Sequence, residues 1–147
     1  MNNIDIQVVE YGSVLQKRSV DLRYRILREP LGLQYTEAQL AEEKEEIHII
    51  AIRDGKVLGV LLLRRMNDDV LKMRQVAVDA SLQRTGIGKQ MVRFSERYAA
   101  ARQYKMIELH ARDTAKAFYL ALNYEITGNP FMEVGILHYK MIKTLPK

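Results

Sequence analysis

The sequence predicts a mixed α/β fold, in which one sheet carries helices on both faces. Two observations lead to this prediction: a run of three strand-like segments in the middle of the chain, and strand–helix–strand alternation after it. The length of 147 residues is sufficient for one hydrophobic core. Because no linker, repeat or low-complexity segment divides the chain, we expect a single domain over residues 1–147.

The N-terminal part is predicted to form a strand and a helix. Residues 4–9 alternate between apolar and polar side chains, as a half-buried strand does. Ser13 is a candidate N-cap for a helix that continues to about residue 27. Pro30 and Gly32 would end this helix, because proline lacks the amide donor and glycine suits the turn that follows.

A second, acidic helix and a hairpin come next. Thr36 and Gln39 have capping-box spacing and predict a short helix to about residue 44. Residues 47–52 and 57–63 are β-rich runs on either side of Asp54-Gly55, and this dipeptide favours the tight turn of a hairpin. The remaining predicted elements are a strand at 70–78, a helix at 86–103, a strand at 106–109, a helix at 115–122, and strands at 124–127 and 134–142.

The long helix is predicted from an apolar face. Ile87, Met91, Phe94 and Tyr98 recur at spacings of four, three and four residues, which lines them along one side of a helix. The face would pack this helix on the sheet.

Composition limits the chemistry available to this chain. With no cysteine, it has no disulfide, no thiolate metal ligand and no cysteine nucleophile. His48, His110 and His138 lack the paired spacing of zinc ligands, so no metal is expected. The formal charge of +5 favours anionic partners, and a phosphorylated small molecule explains it as well as nucleic acid does.

The location of the protein is an expectation from absent signals. No apolar run is long enough to cross a bilayer, and residues 1–5 lack the basic-then-apolar pattern of a secretory signal. We therefore expect a cytoplasmic protein with no membrane partner. Without an aromatic and basic stacking surface or a recognition-helix pattern, we expect no nucleic-acid partner.

The most informative segment joins the strand at 70–78 to the long helix. Gly86 and Gly88 lie at the predicted helix start, where unpaired backbone amides and the helix dipole attract anions. Arg84 and Lys89 add positive charge beside them. This combination favours binding of a phosphate or diphosphate. The segment is not a Walker loop, because Gln90 follows Lys89, and it lacks the third glycine of a dinucleotide fingerprint.

The segment Gln83-Arg84-Thr85-Gly86-Ile87-Gly88 resembles the Gln/Arg-x-x-Gly-x-Gly/Ala signature of the GNAT superfamily of acetyl-CoA-dependent N-acetyltransferases. Residues 22–32 resemble the first helix of this family, residues 49–63 its hairpin, and residues 115–124 its Ala-x-x-Phe-Tyr-x-x-x-Gly-Phe segment. The resemblance covers nearly the whole chain. Residues 133–141 resemble the ending of the ElaA-like and YjcF-like subgroup.

The resemblance implies a GNAT-like fold, with a predominantly antiparallel sheet and splayed central strands. It also implies that acetyl-CoA is the co-substrate. The implied cofactor-binding residues are Val76, Ala77, Val78, Gln83, Arg84, Thr85, Gly86, Ile87, Gly88, Lys89, Arg112, Phe118 and Tyr119. The strand at 76–78 would pair with the pantetheine amides, and an amide near Val78 would face the thioester carbonyl.

Two positions depart from the family pattern. Arg112 stands where an Asn is common, which leaves its contact with the pantetheine arm open. Asn123-Tyr124 replaces Gly-Phe, and this change is mild because Asn tolerates the left-handed conformation and Tyr keeps the aromatic ring.

Catalysis of amide formation needs an acid for the leaving thiolate and a path for the amine proton. The resemblance places Tyr119 beside the cofactor sulfur, so its phenol is the candidate acid; the alternative is a core aromatic. Candidate bases are Glu108, His110, Glu133 and His138, of which Glu133 and His138 are preferred. A water chain with no essential base is also consistent with this class.

Function is therefore predicted as direct transfer of an acetyl group from acetyl-CoA to an amine of a small molecule or peptide. The alternative is a non-catalytic acyl-CoA-binding sensor or regulatory module, which would need only the phosphate-binding segment.

Arg25 and Arg28 would bind an acidic acceptor or form a solvated basic face. The acidic residues 42–46 would attract a cationic amine or form a solvated surface. Loops around residues 28–46 and 127–135 are expected to shape the acceptor pocket. An exposed final strand would allow a homodimer.

Overall fold

The computed structural model describes residues 3–146, and its elements follow the predicted order. Met1, Asn2 and Lys147 lie outside the described residues, so part of the segment tested for a secretory signal does too. The strands are β1 (Asp5–Val9), β2 (Ile47–Arg53), β3 (Lys56–Arg65), β4 (Val70–Val78), β5 (Met106–Arg112), β6 (Glu125–Glu133) and β7 (Ile136–Thr144). The α-helices are α1 (Val14–Arg23), α2 (Glu37–Ala41), α3 (Ile87–Ala101) and α4 (Lys116–Ala121).

The strands form a seven-stranded sheet in the order β1-β2-β3-β4-β5-β7-β6. The pairings β1–β2, β2–β3, β5–β7 and β6–β7 are antiparallel, and β4–β5 is parallel. The prediction of a predominantly antiparallel mixed sheet is confirmed. The parallel register covers only Val70–Met73 of β4 against Met106–Leu109 of β5. The chain falls into two compact units, and β4 contributes to both.

The first unit holds the described residues up to Arg64 together with Gln75–Ser95. Ile50 and Val60 are paired across β2 and β3, and they share a buried cluster with Leu22 of α1. Their neighbours Ala51 and Gly59 face the other way, because successive strand residues alternate between faces. A methyl group on Gly59 would come within 2.7 Å of Met91 Cε on α3, so α3 lies against this second face. Helices on both faces, as predicted, are present here.

The second unit holds Arg65–Arg74 and the described residues from Glu96 onwards. Its strands β5, β7 and β6 are neighbours in that order, so β7 lies between two strands. The expectation that the final strand is exposed for pairing with a second subunit is therefore wrong. β1 and β6 are the two edge strands of the sheet.

Local sequence signals specified most of the helix and turn boundaries. Ser13 accepts a hydrogen bond from the Gln16 amide, and Thr36 forms the complete capping box with Gln39. Asp54 and Gly55 have φ angles of 53° and 74°, the left-handed conformation that a two-residue hairpin turn requires. Within residues 3–146, no helix combines the length and apolar character needed to span a membrane.

Three predicted boundaries or faces differ from the structure. The first helix continues past Arg23 as a π-helical turn, Tyr24–Arg28, and a 3-10 turn, Glu29–Leu31. Ser95 and Ala99, rather than Phe94 and Tyr98, complete the buried face of α3. The buried Ser95 hydroxyl has a hydrogen-bond partner, because it donates to the Met91 carbonyl at 2.9 Å.

The last hairpin also differs from the prediction. Residues 127–135 are not a loop: β6 runs to Glu133, with an irregular register between Thr127 and Phe131. Val134 and Gly135, with φ angles of 47° and 74°, form the turn to β7. Glu133 is therefore a strand residue.

Candidate functional site

The segment between β4 and α3 is a braced turn in the first unit. The Asp79 amide donates to the Leu58 carbonyl at 2.8 Å. The Asp79 carboxylate accepts from the Ser81 hydroxyl at 2.7 Å and from the Ser81 amide at 3.0 Å, and these bonds lower the pKa of Asp79. Gln83 Nε2 donates to the Val78 carbonyl at 3.2 Å. These contacts fix the backbone that leads into the helix.

The backbone at residues 84–89 forms a concave set of amides. Arg84 and Gly86 both have positive φ angles, 68° and 92°, on either side of Thr85. Such changes of handedness direct successive N–H groups to one side, as in anion-binding nests. The first hydrogen bond of the following helix runs from the Gln90 amide to the Gly86 carbonyl. Among the described residues, no acceptor pairs with the amides of Arg84, Gly86, Ile87, Gly88 and Lys89.

The side chains around these amides leave them open to an anion. Ile87 is buried and anchors the helix start, whereas Arg84, Gly86 and Lys89 are exposed. A methyl group on Gly86 would meet no protein atom within 4 Å. Within residues 3–146, neither Arg84 nor Lys89 forms an ion pair with a carboxylate. We call residues 84–89 the anion nest.

The strand that precedes the anion nest is irregular. Ala77 is buried in the cluster that contains Leu22, whereas Val76 and Val78 are half-buried on the other face. Gln75 has a φ angle of 55° in the middle of β4, a conformation that L-residues adopt at a cost of about 1–3 kcal/mol. No local pattern in the sequence indicates this irregularity.

Tyr119 of α4 is a buried phenol in the second unit. Its side chain packs edge-on against Phe118 and Tyr124, with ring centroids 5.0 and 5.6 Å away. Burial raises the pKa of Tyr119, so its hydroxyl keeps its proton at neutral pH. Phe118 is partly exposed beside it. The catalytic role of Tyr119 stays a prediction.

The end of α4 explains how Tyr119 is held. The Tyr124 amide donates to the Tyr119 carbonyl and the Asn123 amide to the Leu120 carbonyl, both at 3.0 Å, which is the Schellman pattern. Asn123 adopts the left-handed conformation expected of it, with φ 71°. The Tyr124 hydroxyl donates to Glu96 at 2.9 Å, and Lys143 donates to the other Glu96 oxygen at 2.9 Å. Tyr124 is thereby fixed beneath the Tyr119 ring.

Three of the candidate bases lie together in the second unit. One carboxylate oxygen of Glu133 is 3.1 Å from His110 Nδ1, and the other is 3.5 Å from His138 Nε2. The Phe131 ring contacts both imidazoles, at centroid distances of 4.9 and 5.9 Å. We call His110, Glu133 and His138 the His–Glu–His cluster. Glu108 is not part of it, because its carboxylate pairs with Lys140 at 3.2 Å.

The hydrogen bonds of His138 define its tautomer. His138 Nδ1 lies 2.8 Å from the Ile136 carbonyl, which can only accept, so Nδ1 carries a proton. Nε2 then faces a Glu133 oxygen, and an attractive contact there requires a proton on one of the two atoms. His138 is buried, whereas the side chain of Glu133 is 45% exposed. Glu133 is therefore the accessible member of the pair.

The charged residues of the first helix and the acidic segment are not simply solvated. Arg23 and Glu43 are both buried, and the guanidinium makes two hydrogen bonds to the carboxylate, one of them 3.0 Å long. Glu46 is also buried and pairs with Arg64 at 3.3 Å. The interpretation of residues 42–46 as a solvated surface is wrong for these two glutamates.

The predicted cofactor residues belong to both units. Val76 to Lys89 lie in the first unit, and Arg112, Phe118 and Tyr119 lie in the second. Arg112 ends β5, where it is half-buried and in register with His138. Within the described part of the chain, no group of three or more His, Asp or Glu side chains is arranged to hold a metal ion.

The chain is similar to known proteins in sequence and in structure. Residues 27–145 match the acetyltransferase (GNAT) domain. Three solved structures share the fold. A candidate N-acetyltransferase from Lactobacillus plantarum has a TM-score of 0.87 and 21% identity, covering 99% of this chain and 100% of that one. An aminoglycoside 6'-N-acetyltransferase complexed with coenzyme A has a TM-score of 0.81 and 17% identity, covering 97% and 98%. ElaA from Escherichia coli has a TM-score of 0.80 and 18% identity, covering 96% and 99%. At these identities the structures establish the fold, and the domain match over most of the chain establishes the family. The chain belongs to the GNAT acetyltransferase family, as its motifs predicted.

Proposed function

We propose that this protein is an N-acetyltransferase that moves an acetyl group from acetyl-CoA to a primary amine by direct transfer between two bound substrates. The observation that carries the proposal is the anion nest, with its unpaired backbone amides and two positive φ angles at residues 84–89. Membership of the GNAT family supplies the reaction class.

The anion nest suits the diphosphate of coenzyme A. Several amides without internal partners point to one side, at the positive end of the α3 dipole. Arg84 and Lys89 contribute charge without a competing carboxylate. Because the free amides already have their bound geometry, little conformational entropy is lost when the diphosphate binds.

Residues 76–78 of β4 would hold the pantetheine arm in the same proposal. Val76 and Val78 share the half-buried face of this strand, and Ala77 is fixed in the core. The family resemblance suggests that backbone groups of this segment pair with the pantetheine amides and that the Val78 amide donates to the thioester oxygen. Arg112 and Phe118 are proposed cofactor contacts on the same basis.

The reaction forms a C–N bond between the amine and the thioester carbon and breaks the C–S bond. The thiolate needs a donor as it leaves, and we assign this role to Tyr119 from its position in the family motif. The raised pKa of Tyr119 keeps the phenol protonated, and it favours hydrogen-bond donation to the thiolate over complete loss of the proton.

The amine must lose a proton during the reaction, and we propose that the His–Glu–His cluster accepts it. Glu133 is the exposed member and would accept the proton directly or through water, while His138 shares it across their 3.5 Å contact. Replacement of Glu133 by Gln is expected to lower kcat and to change its pH profile. An unchanged profile would indicate a water path with no essential base.

The proposal is tested by measuring coenzyme A binding and thiol release from acetyl-CoA with a panel of primary amines. Tyr119→Phe is expected to lower kcat by about 10²-fold or more, with unchanged affinity for coenzyme A. Tyr98→Phe is the matched control, because it removes a phenol of α3 that has no proposed role, and it should leave both quantities unchanged.

Two results would contradict the proposal. Absence of coenzyme A binding would remove its basis. Tight binding without turnover on any amine, together with identical behaviour of wild type and Tyr119→Phe, would instead indicate a non-catalytic acyl-CoA sensor.

A further inference from the structure

A positive charge without a carboxylate partner is held beside β4 in the first unit. The guanidinium carbons of Arg23 and Arg28 each lie 4.8 Å from the centroid of the Tyr35 ring. Arg23 is neutralised by the buried carboxylate of Glu43. Arg28 is half-buried, and among residues 3–146 it forms no ion pair with a carboxylate. The group therefore carries one net positive charge at Arg28.

Tyr35 fixes this charge next to an irregular strand. The Tyr35 hydroxyl donates to Gln75 Oε1, which joins the segment before α2 to the middle of β4. Burial raises the pKa of Tyr35 although Arg23 and Arg28 oppose the shift, so the phenol remains a donor. A cation stacked on a ring that is itself anchored has fewer conformations than a solvated arginine.

Two backbone irregularities meet at this group. Arg28 ends the π-helical turn Tyr24–Arg28, and Gln75 has a positive φ of 55° within β4. Single π-helical turns occur frequently at functional sites, and left-handed non-glycine residues persist only where surrounding contacts enforce them. The two distorted positions, Arg28 and Gln75, both contact Tyr35.

We propose that Arg28 binds an anionic group, a carboxylate or a phosphate, of the acceptor substrate beside its amine. The inference rests on the proposed function, because Gln75 directly precedes the residues 76–78 that would hold the thioester end of the cofactor. The planar guanidinium matches both oxyanions through paired hydrogen bonds. Its charge also lowers the pKa of a nearby amine and so favours the neutral, nucleophilic form.

The experiment compares amines that differ only in the anionic group. β-Alanine is paired with β-alaninamide, and phosphoethanolamine with ethanolamine. Binding of each to protein saturated with coenzyme A is measured by calorimetry, and acetylation is measured in parallel. In at least one pair the anionic member is expected to bind about tenfold more tightly, as charge-assisted bonds typically provide. The pair that shows the preference distinguishes carboxylate from phosphate.

Arg28 variants assign this preference to one side chain. Arg28→Met is expected to reduce it to about twofold or less, and Arg28→Lys to retain part of it. Arg102→Met is the control, because Arg102 also stacks on a tyrosine, with its guanidinium carbon 3.5 Å from the Tyr98 ring centroid. It should keep the full preference. Coenzyme A affinity of each variant shows that the protein is folded.

The inference is overturned if the amines that lack the anionic group bind as well as those that carry it, or if Arg28→Met keeps the preference. Failure of the proposed function looks different, because wild-type protein would then not bind coenzyme A, or would bind it without turnover on any amine. An anion preference that disappears in Arg28→Met, with coenzyme A bound normally, supports the inference whether or not the amine in the panel is acetylated.

Discussion

Replacement of Gly86 by Ala should affect both the stability of the protein and its affinity for coenzyme A, and the two effects can be measured separately. Gly86 has a φ angle of 92°, and a methyl group there would meet no protein atom within 4 Å. In the protein without cofactor, the substitution should therefore lower the free energy of unfolding only through the strained backbone conformation, by about 1–2 kcal/mol. For a protein of this length, that corresponds to a loss of roughly 2–8 °C in Tm.

The effect on cofactor binding is expected to be larger than the effect on stability. The new methyl group would occupy the space in which an anion approaches the amides, and it would weaken one or two charge-assisted hydrogen bonds. Each such bond contributes about 1.5–3 kcal/mol, so the Kd for coenzyme A should rise by about tenfold or more.

Gly12 provides the matched control, because it has a φ of 86° and equally open space around its Cα. Gly12→Ala should lose similar stability in thermal unfolding and bind coenzyme A like wild type in calorimetry. The reasoning is refuted if Gly86→Ala retains wild-type affinity, or if both variants lose affinity to the same extent.

Three further predictions concern stability. Burial raises the pKa of Tyr124 in the folded protein, and Glu96 adds to this effect. Because the unfolded chain loses the Tyr124 proton at lower pH than the folded protein does, the contribution of Tyr124 to stability is present below about pH 10 and is lost as the pH rises above it. Tyr124→Phe should therefore show a smaller alkaline loss in urea unfolding between pH 8 and pH 11. Glu43→Ala should destabilise the protein by about 3–5 kcal/mol in the same assay, because it leaves the buried Arg23 charge unpaired. Asn123→Gly should leave Tm unchanged or raise it, whereas Asn123→Val should lower it, since residue 123 has a φ of 71°.

Elements set by neighbouring residues were predictable from the sequence. The Asp54-Gly55 turn, the Thr36 capping box and the left-handed Asn123 each depend on contacts within a few residues. In each case the residue type lowers the energy of the conformation that it adopts, so a short stretch of sequence contains the information.

Features that depend on distant partners were not predictable. Arg23 is buried because Glu43, 20 residues away, neutralises it. Tyr35 reaches Gln75 across 40 residues, and nothing near either one indicates the pairing. The extent of β6 was missed because Gly128 and Pro130 resemble turn residues, while β7 pairs on both sides of them.

The non-glycine residues with positive φ angles fall into two groups, one explained by local structure and one that adjoins the proposed functional residues. Asp54, Asn123 and Gln103 lie in a hairpin turn or just after a helix, where this conformation is common. Gln75 and Arg84 lie in neither setting, and Val134, although in a hairpin turn, has a β-branched side chain that disfavours this conformation. Gln75 precedes the proposed pantetheine strand, Arg84 lies in the anion nest, and Val134 follows Glu133.

These three exceptions adjoin three separately argued features: the proposed pantetheine strand and the anion nest in the first unit, and the His–Glu–His cluster in the second. Strain of about 1–3 kcal/mol at each persists only if other contacts compensate for it. Glycine at Arg84 or Val134 would relieve that strain at little cost elsewhere, since both are exposed, whereas glycine at Gln75 would also remove the acceptor of the Tyr35 hydrogen bond. If the strain serves ligand binding, Arg84→Gly should gain stability and lose affinity for coenzyme A, because the relaxed backbone no longer holds its amides in place. A gain in both quantities would show that the conformation at Arg84 is incidental.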